Sequence, residues 1–484
     1  MNYKMMGRFI GYILLVEAVF MVPAMLISLF LQERESCRGF MLSVCATLVI
    51  ALALLGISRK SKKSFRAREG LVCVGISWIV MSILGALPFY LSREIPSYLD
   101  ALFETVSGFT TTGASILPEV ESLSKGMLYW RSFTHWLGGM GVLVFVLAIS
   151  SAGAKNTGFT MHILRAESPG PKVGKLVPKM KQTAEILYLM YILLTILNIV
   201  FLLIGRMPLF DAVCTALGTA GTGGFGIKND SMAGYSPYIQ NVCTIFMLLF
   251  GVNFSCYYML LIRQVKSVFQ DEELRLYLGV VAGSILLICI NLRGFYATIE
   301  ETVRHVAFQV ASIVTTTGYA TTDFDLWPGF SKAILLGLMV IGASAGSTGG
   351  GFKCARVLLI LKSLRRNVRK ILSPQKVQVV RVNGRMMEEN VLENTNAYLS
   401  AYVIILFFSF ILISIDKFSV TTNFTAVLSC FNNIGPGLEA VGPVCNYGGF
   451  SGFSKLVLIM DMLAGRLEIF PILILFTKST WFRH

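Results

Sequence analysis

Long apolar runs separated by short polar connections dominate the chain. A membrane-spanning helix needs about 20 mostly apolar residues, and ten stretches have this character. We therefore predict ten spanning helices, near residues 9–31, 40–57, 71–92, 130–152, 184–205, 239–262, 276–292, 330–361, 396–415 and 452–478. The pattern indicates an all-α polytopic membrane protein. The first run is interpreted as a retained helix, because no convincing cleavage site follows it.

Four shorter semi-apolar segments lie between these runs, at residues 100–111, 209–221, 303–316 and 422–433. A segment of this length is too short to span and is typical of re-entrant or interfacial structure. If there are ten spans, all four segments fall on the same side of the membrane.

Basic residues concentrate in the connections on the other side, at 58–69, 155–181, 263–275 and 353–385. By the positive-inside rule that side is the cytoplasm, and both termini lie there as well. The outer connection 93–125 is acidic, which predicts a mouth that attracts cations. Its acidic residues are Glu94, Asp100, Glu104, Glu119 and Glu121.

Composition excludes several other classes. The chain is 55% hydrophobic and 14% charged, whereas soluble proteins carry about 25% charged residues. The net charge of +15 sits in the connections, so it indicates membrane orientation rather than nucleic-acid binding. Ten scattered cysteines without a CxxC pair predict neither a disulfide framework nor a zinc site. Residues 342–346 match G-x-S-x-G, but they lie in an apolar run without a histidine, so we do not interpret them as an enzyme motif.

The four short segments are copies of one pattern: an apolar half-helix, then a run of Thr, Ser, Asn and Gly. Their sequences are DALFETVSGFTTTGAS (100–115), DAVCTALGTAGTGGFG (211–226), HVAFQVASIVTTTGYA (305–320) and NFTAVLSCFNNIGPG (423–437). One such stretch is consistent with a simple glycine-rich turn. Four copies on one membrane face indicate a repeated structural unit.

Four such loops around one axis have the chemistry of a potassium filter. A ring of backbone carbonyls replaces the water of a dehydrated ion, and glycine permits the positive φ that carbonyl orientation requires. In the second loop, equal spacing from the preceding aspartate favours Gly224 over Gly223 as the equivalent of Gly113. The predicted filter residues are Thr111, Thr112, Gly113, Thr222, Gly223, Gly224, Thr316, Thr317, Gly318, Asn433, Ile434 and Gly435. Potassium contacts are expected at Thr112, Gly113, Gly223, Gly224, Thr317, Gly318, Ile434 and Gly435.

The run 330–361 contains the sequence GASAGSTGGG at 342–351. Glycine costs a helix about 1 kcal/mol per residue, so we predict a broken helix whose middle forms a loop beneath the filter. Lys353 is either a membrane-surface anchor or part of this gate. Arg466, inside the last run, is a functional candidate by position, with a salt bridge to Asp461 as the alternative. The predicted gate comprises Gly342, Ala345, Gly346, Ser347, Thr348, Gly349, Gly350, Gly351, Lys353 and Arg466.

The segments FETVSGFTTTGAS, TTTGY and NNIGPGLEAVGP resemble the filter loops of the Trk/Ktr/HKT superfamily of potassium-uptake proteins. HWLGGMG (135–141) and GRLEIFPILILF (465–476) resemble its inner helices, and the two additional N-terminal helices favour the bacterial Trk type. The resemblance implies four helix–pore-loop–helix units in pseudo-fourfold symmetry. The corresponding divisions are 1–70 (two N-terminal helices), 71–155, 156–265, 266–376 (with the gating loop) and 377–484.

The resemblance also implies a homodimer in the bacterial inner membrane, with potassium as the permeant ion and no organic cofactor. A cytosolic ring of nucleotide-binding Rossmann domains, for NAD or ATP/ADP, is the implied regulator, and the loop 342–351 is implied to obstruct conduction. Two departures make the ring only pseudo-symmetric: the second loop has extra glycines, for which we expect a looser ring, and the fourth has Asn432 and Asn433.

Two alternatives stay open at this point. The basic connection 353–385 either docks the regulatory ring or meets anionic lipid. A secondary transporter that couples potassium to protons or sodium would also contain broken, glycine-rich helices. The common side of all four short segments favours a channel-like pore.

Overall fold

The computed structural model describes residues 1–59, 67–139, 141 and 180–481. This part of the chain is mainly helical, with one two-stranded hairpin. Its helices are α1 (Tyr3–Phe30), α2 (Arg34–Ile57), α3 (Ala67–Gly85), α4 (Leu87–Leu91), α5 (Tyr98–Phe109), α6 (Lys125–Gly139), α7 (Met180–Ile204), α8 (Leu209–Gly221), α9 (Pro237–Phe250), α10 (Phe254–Leu261), α11 (Val265–Phe269), α12 (Glu272–Asn291), α13 (Ile299–Val314), α14 (Gly329–Ile341), α15 (Cys354–Leu372), α16 (Glu389–Ile413), α17 (Val420–Phe431), α18 (Gly452–Arg466), α19 (Phe470–Phe476) and α20 (Lys478–Trp481). The strands are β1 (Arg381–Val382) and β2 (Arg385–Met386).

Six helical stretches of the described residues are long and apolar enough to cross a membrane, and a seventh is obtained if α9 and α10 count as one broken span. At 1.5 Å per residue, about 20 residues match the roughly 30 Å hydrocarbon core. The six are Tyr3–Phe30, Arg34–Ile57, Arg68–Leu91, Glu185–Ile204, Glu272–Asn291 and Glu389–Ile413. Where the structure describes them, the other predicted runs contain shorter or interrupted helices, so length alone does not identify them as spans.

Two predicted spans are not continuous. The run 239–262 bends by 88° between α9 and α10, where the Asn253 side chain accepts from the Ser255 N–H at 2.9 Å and starts a new helix. The run 452–478 is interrupted between α18 and α19, where Glu468 and Ile469 have φ of 60° and 64°. Pro471 follows and cannot donate a helical hydrogen bond. The predicted break in 330–361 is present between α14 and α15.

The four predicted half-helices correspond to α5, α8, α13 and α17. Three of them begin with a hydroxyl cap: Ser97 accepts from Asp100 N–H, Thr298 from Glu301 N–H and Ser419 from Thr422 N–H. Such caps satisfy amide groups that the first turn leaves unpaired. All four helices become fully buried toward their C-terminal ends, which therefore meet in the interior.

The hairpin β1–β2 was not predicted and lies within the basic connection 353–385. Its strands pair Val382 with Arg385, and Asn383 and Gly384 form the turn with φ of 50° and 75°. An Asn-Gly pair with two positive φ values is the sequence signature of a type I′ hairpin.

Some predictions fall outside the described residues. These are the connection 155–181 up to residue 179, most of 58–69, the second half of the run 130–152, and His162 and His484.

Candidate functional site

The four half-helices end in the same backbone turn. In each one a residue just past the helix is left-handed: it is the first residue after α8 and the second after the other three helices. The amide of the next residue donates back to a carbonyl five residues earlier. The left-handed residues are Thr111, Thr222, Thr316 and Asn433, with φ of 56°, 53°, 58° and 56°. The amide bonds are Thr112 to Ser107 (2.8 Å), Gly223 to Gly218 (2.9 Å), Thr317 to Ser312 (2.8 Å) and Ile434 to Ser429 (3.0 Å).

This turn is a Schellman motif, which usually has glycine at the left-handed position. A β-branched threonine is an outlier there, and such strain persists only where the surroundings determine it. Its appearance in three loops, with the more tolerant asparagine in the fourth, indicates that the packed interior imposes the same turn on all four.

A glycine with positive φ stands two residues after each left-handed residue. These are Gly113, Gly224, Gly318 and Gly435, with φ of 79°, 77°, 86° and 102°. The structure thus places Gly224, rather than Gly223, at the position equivalent to Gly113. Gly221 corresponds to Thr110 and Thr315, and Gly223 to Thr112 and Thr317.

The four loops close into a ring. A methyl group added to each glycine would overlap a carbonyl oxygen of the next loop. The pairs are Gly113 with Gly223 O, Gly224 with Thr317 O, Gly318 with Ile434 O, and Gly435 with Thr112 O. The order of loops around the ring is therefore one, two, three, four and back to one. Glycine is required at each position for two reasons: the positive φ, and the carbonyl oxygen that leaves no room for a side chain.

Polar side chains stiffen this ring. The Thr110 and Thr112 hydroxyls lie 2.8 Å apart, and Thr315 and Thr317 repeat that distance. The Asn433 amide donates to the Thr112 hydroxyl at 3.0 Å, which ties the fourth loop to the first.

The second loop is tightly packed against a side chain of α6. The His135 ring of α6 occupies the space that a side chain at Gly223 would need. Its Nε2 accepts from the Phe225 N–H at 3.3 Å. The expected looseness of this loop is thus offset by a side chain from a neighbouring helix.

A buried ion pair supports the first two loops. Arg131 lies 2.6 Å from Glu104, with side-chain exposures of 3% and 0%. Glu104 accepts from the Ser115 hydroxyl at 3.0 Å, and Arg131 donates to Gly226 O at 2.7 Å. Sequence reasoning missed this pair, although two opposite charges inside semi-apolar segments were a usable signal.

The acidic outer mouth is correspondingly weaker than the sequence suggested. Glu104 is buried against Arg131, and Asp100 pairs with Lys455 at 2.6 Å. Glu94 accepts from the Ser124 N–H at 2.9 Å. Asp100 and Glu104 are thus neutralised by their paired cations, whereas Glu119 and Glu121 are exposed.

The loop 342–351 lies directly against the ring. The Gly350 N–H donates to the Thr316 hydroxyl at 2.5 Å, and the Gly351 N–H donates to Asn432 O at 3.0 Å. A methyl group on Gly349 would lie 2.7 Å from Thr315 O. The loop therefore contacts the C-terminal ends of α13 and α17, and its three consecutive glycines allow that approach.

Arg466 joins the loop to the ring. Its guanidinium donates to Thr348 O at 3.0 Å, to the Thr111 hydroxyl at 3.2 Å and to Gly139 O at 2.8 Å. The alternative of a salt bridge with Asp461 does not describe this geometry, because Asp461 accepts from the Ser409 hydroxyl at 2.6 Å.

Lys353 is buried and donates its ammonium to Gly349 O. This position fits a contact with the loop and does not fit an anchor at the membrane surface.

The rest of the predicted gate lies between α9, α10 and α12. The Ser344 N–H donates to Gly251 O at 3.1 Å, and the Phe254 N–H donates to Gly346 O at 3.1 Å. The Ser347 hydroxyl donates to Ser344 O at 2.6 Å.

Within the described residues, no group of three or more His, Cys, Asp or Glu side chains gathers as a metal site. The oxygens that converge at the ring are backbone carbonyls and hydroxyls, which suit a weakly bound monovalent cation.

Known proteins resemble the chain over its whole length. The family model described as TrkH, cation transport protein, matches residues 38–481. The chain is a member of the TrkH family.

The Trk system potassium uptake protein TrkH of Escherichia coli (strain K12) is 35% identical over 99% of this chain and 100% of that protein. The corresponding protein of Salmonella typhimurium (strain LT2) gives the same figures, and TrkG of Escherichia coli (strain K12) is 30% identical over 99% of both chains. The crystal structure of the potassium transporter TrkH from Vibrio parahaemolyticus matches with a TM-score of 0.89, at 30% identity and full coverage of both chains. The family resemblance inferred from the filter segments is thus confirmed, and these TrkH and TrkG relatives are transporters rather than enzymes.

Proposed function

We propose that this chain carries potassium across the bacterial inner membrane through a channel-like pore. The observation that carries the proposal is the closed ring, in which four equivalent carbonyl oxygens each lie against the glycine of the preceding loop. A ring of carbonyl dipoles can replace the hydration shell of a potassium ion. The choice of potassium follows the named activity of the TrkH and TrkG relatives.

The filter in this proposal consists of the segments 111–113, 222–224, 316–318 and 433–435. The carbonyls of Thr112, Gly223, Thr317 and Ile434 coordinate the ion, together with those of the glycines that follow. The four half-helices direct their C-terminal ends toward this region, and the partial negative charge there favours a cation.

The loop 342–351 is the gate. It lies against the ring through Gly350 and Gly351, and Arg466 fastens it to the first filter loop. A loop in this position obstructs the route from the filter toward the cytoplasm. Opening requires the Arg466 and Lys353 contacts to exchange for others, because both bind the loop through backbone carbonyls.

The proposed assembly follows the family. We count ten spans by treating α9–α10, α14–α15 and α18–α19 as broken helices, with four helix–pore-loop–helix units and cytoplasmic termini. We further propose a homodimer, controlled by a cytosolic ring of nucleotide-binding Rossmann domains. The relatives' designation as parts of a Trk system supports the existence of a partner, and the basic helix α15 offers it a charged surface.

The test is rubidium uptake in cells that lack their other potassium-uptake systems. The native chain, with its regulatory partner, should restore growth at low potassium and take up rubidium. Gly113→Ser and Gly318→Ser should admit sodium, and deletion of 344–349 should raise flux. Gly294→Ser is the matched control, because Gly294 has a φ of 83° but open space around its Cα.

Native behaviour of both filter variants would contradict the pore assignment. Rubidium uptake that stops when the proton or sodium gradient is abolished, at a fixed membrane potential, would instead favour the coupled transporter.

A further inference from the structure

The loop 342–351 has a second attachment away from the ring. The Ala345 N–H donates to Glu273 Oε1 at 2.5 Å. Glu273 is the second residue of α12, whose first turn is capped by Asp271 through the Leu274 N–H at 2.8 Å. A hydrogen bond to a carboxylate is stronger than one between neutral groups. The position of this loop therefore depends on where α12 begins.

The start of α12 is itself held by the hairpin turn. The Asn383 side chain accepts from the Glu272 N–H at 2.9 Å and donates to Asp271 Oδ2 at 2.7 Å. The turn holds the Asn383 backbone in the left-handed conformation, and the two hydrogen bonds direct its side chain toward the start of α12. One exposed asparagine thus joins the hairpin to the residue before Glu273.

The hairpin is also fastened to the helix that follows the loop. Lys362 of α15 forms an ion pair with Glu272 and donates to Arg381 O at 2.6 Å. At the base of the hairpin, Val380 is buried in one cluster with Leu359 of α15 and Leu392 of α16. The hairpin, the start of α12 and α15 therefore form one connected unit beside the loop.

We propose that Glu273 is a positioning residue for the gate, and that the hairpin sets its position through Asn383. Displacement of the hairpin moves the first turn of α12, and Glu273 transfers that movement to Ala345. This inference rests on the proposed role of 342–351 as the gate. It assigns the hairpin as the input through which a cytosolic partner reaches the loop.

The first variant is Glu273→Ala, which removes the acceptor. We expect the maximal rubidium uptake rate without the partner to rise about tenfold, as for loss of one hydrogen bond to a charged group. The KM for rubidium and the sodium-to-rubidium ratio should not change, because the filter is untouched. Glu273→Gln keeps an acceptor at the same place, so its partner-free rubidium uptake rate should stay close to that of the native chain.

The second variant is Asn383→Gly, which keeps the left-handed turn and deletes both side-chain bonds. It should raise partner-free flux about threefold, less than Glu273→Ala, because Asn383 acts on the loop only through the first turn of α12. Because Asn383 is exposed, its substitution should not disturb folding, and a change in flux can be attributed to the lost hydrogen bonds. Arg385→Ala, at an exposed position of the same hairpin, is the matched control and should behave as native.

A double-mutant comparison separates the possible failures. In a chain that lacks 344–349, Glu273→Ala should add nothing, since residues acting through one element are not additive. If the deletion raises flux while Glu273→Ala and Asn383→Gly behave as native, this inference is wrong and the gate stands. If Glu273→Ala also raises the sodium-to-rubidium ratio, its effect is on the filter and the inference is again wrong. If the deletion itself behaves as native, the gate assignment fails.

Discussion

The contact between a filter glycine and the neighbouring carbonyl can be tested separately from glycine's conformational freedom. Gly318 and Gly294 have nearly the same φ, 86° and 83°. A methyl group on Gly318 would overlap Ile434 O, whereas nothing lies within 4 Å of one on Gly294. Alanine at either position pays a similar backbone penalty of about 1–2 kcal/mol. The difference between the variants therefore reports mainly the contact with Ile434 O, since the next nearest atom, Pro436 Cδ, lies at 3.0 Å.

The size of the effect follows from the overlap. Cβ atoms essentially never approach other heavy atoms closer than 3.0 Å, so the alanine Cβ and Ile434 O must separate by about 0.9 Å in Gly318→Ala. At Gly435 the corresponding distance, to Thr112 O, is 2.8 Å, and the required shift is smaller. We expect the sodium-to-rubidium flux ratio to rise about tenfold in Gly318→Ala, equivalent to about 1.4 kcal/mol. Gly435→Ala should give a smaller rise and Gly294→Ala none.

The assay is tracer uptake of rubidium and sodium in vesicles with equal amounts of each variant, with thermal unfolding in detergent as the measure of stability. Gly294→Ala and Gly318→Ala should both unfold at lower temperature than the native chain. Equal flux ratios in these two variants, despite that loss of stability, would refute the assignment of Ile434 O to the ion path.

Two further predictions concern charged side chains around the ring. Arg466→Gln should raise partner-free rubidium flux by about tenfold, because it removes the charge-assisted hydrogen bond to Thr348 O; an unchanged flux would contradict the role of Arg466 in closing the gate. Glu104→Ala should lower the free energy of unfolding by about 3–5 kcal/mol, because it leaves Arg131 buried without its partner. Glu35→Ala removes an exposed ion pair and should change the free energy of unfolding by no more than about 1 kcal/mol. A similar loss of stability in both variants would argue against the Glu104 prediction.

Several features were accessible from the sequence because they depend on local pattern. The four half-helices were predicted to within a few residues, since each is an apolar segment ended by Thr, Asn and Gly. The break at 342–351 was predicted because five glycines cannot be accommodated cheaply in a helix. Gly224 was chosen over Gly223 by its spacing from Asp211 and by the match of Gly224-Phe225 to Gly318-Tyr319, and its φ agrees with that of the other three glycines.

Other features were missed although their signals were present. The Asn383-Gly384 pair marks a hairpin turn, and it was overlooked because the surrounding basic residues were interpreted only as topology signals. Asn253 and Pro471 mark the breaks in two runs that were predicted to be continuous. In each case an overall hydropathy pattern outweighed a single residue with a strong local preference.

The sequence by itself determined the membrane class, the positions of four similar short helices and the residues of the candidate filter and gate, because hydropathy, repetition and glycine content act over short stretches of chain. Only the tertiary structure decided which oxygen faces which glycine, that His135 fills the second loop, and that Glu104 pairs with Arg131. It also decided that Arg466 binds backbone carbonyls and that Asn383 reaches the start of α12. These contacts join residues that are distant in sequence, and they exist only once the helices have packed and fixed the direction of each side chain.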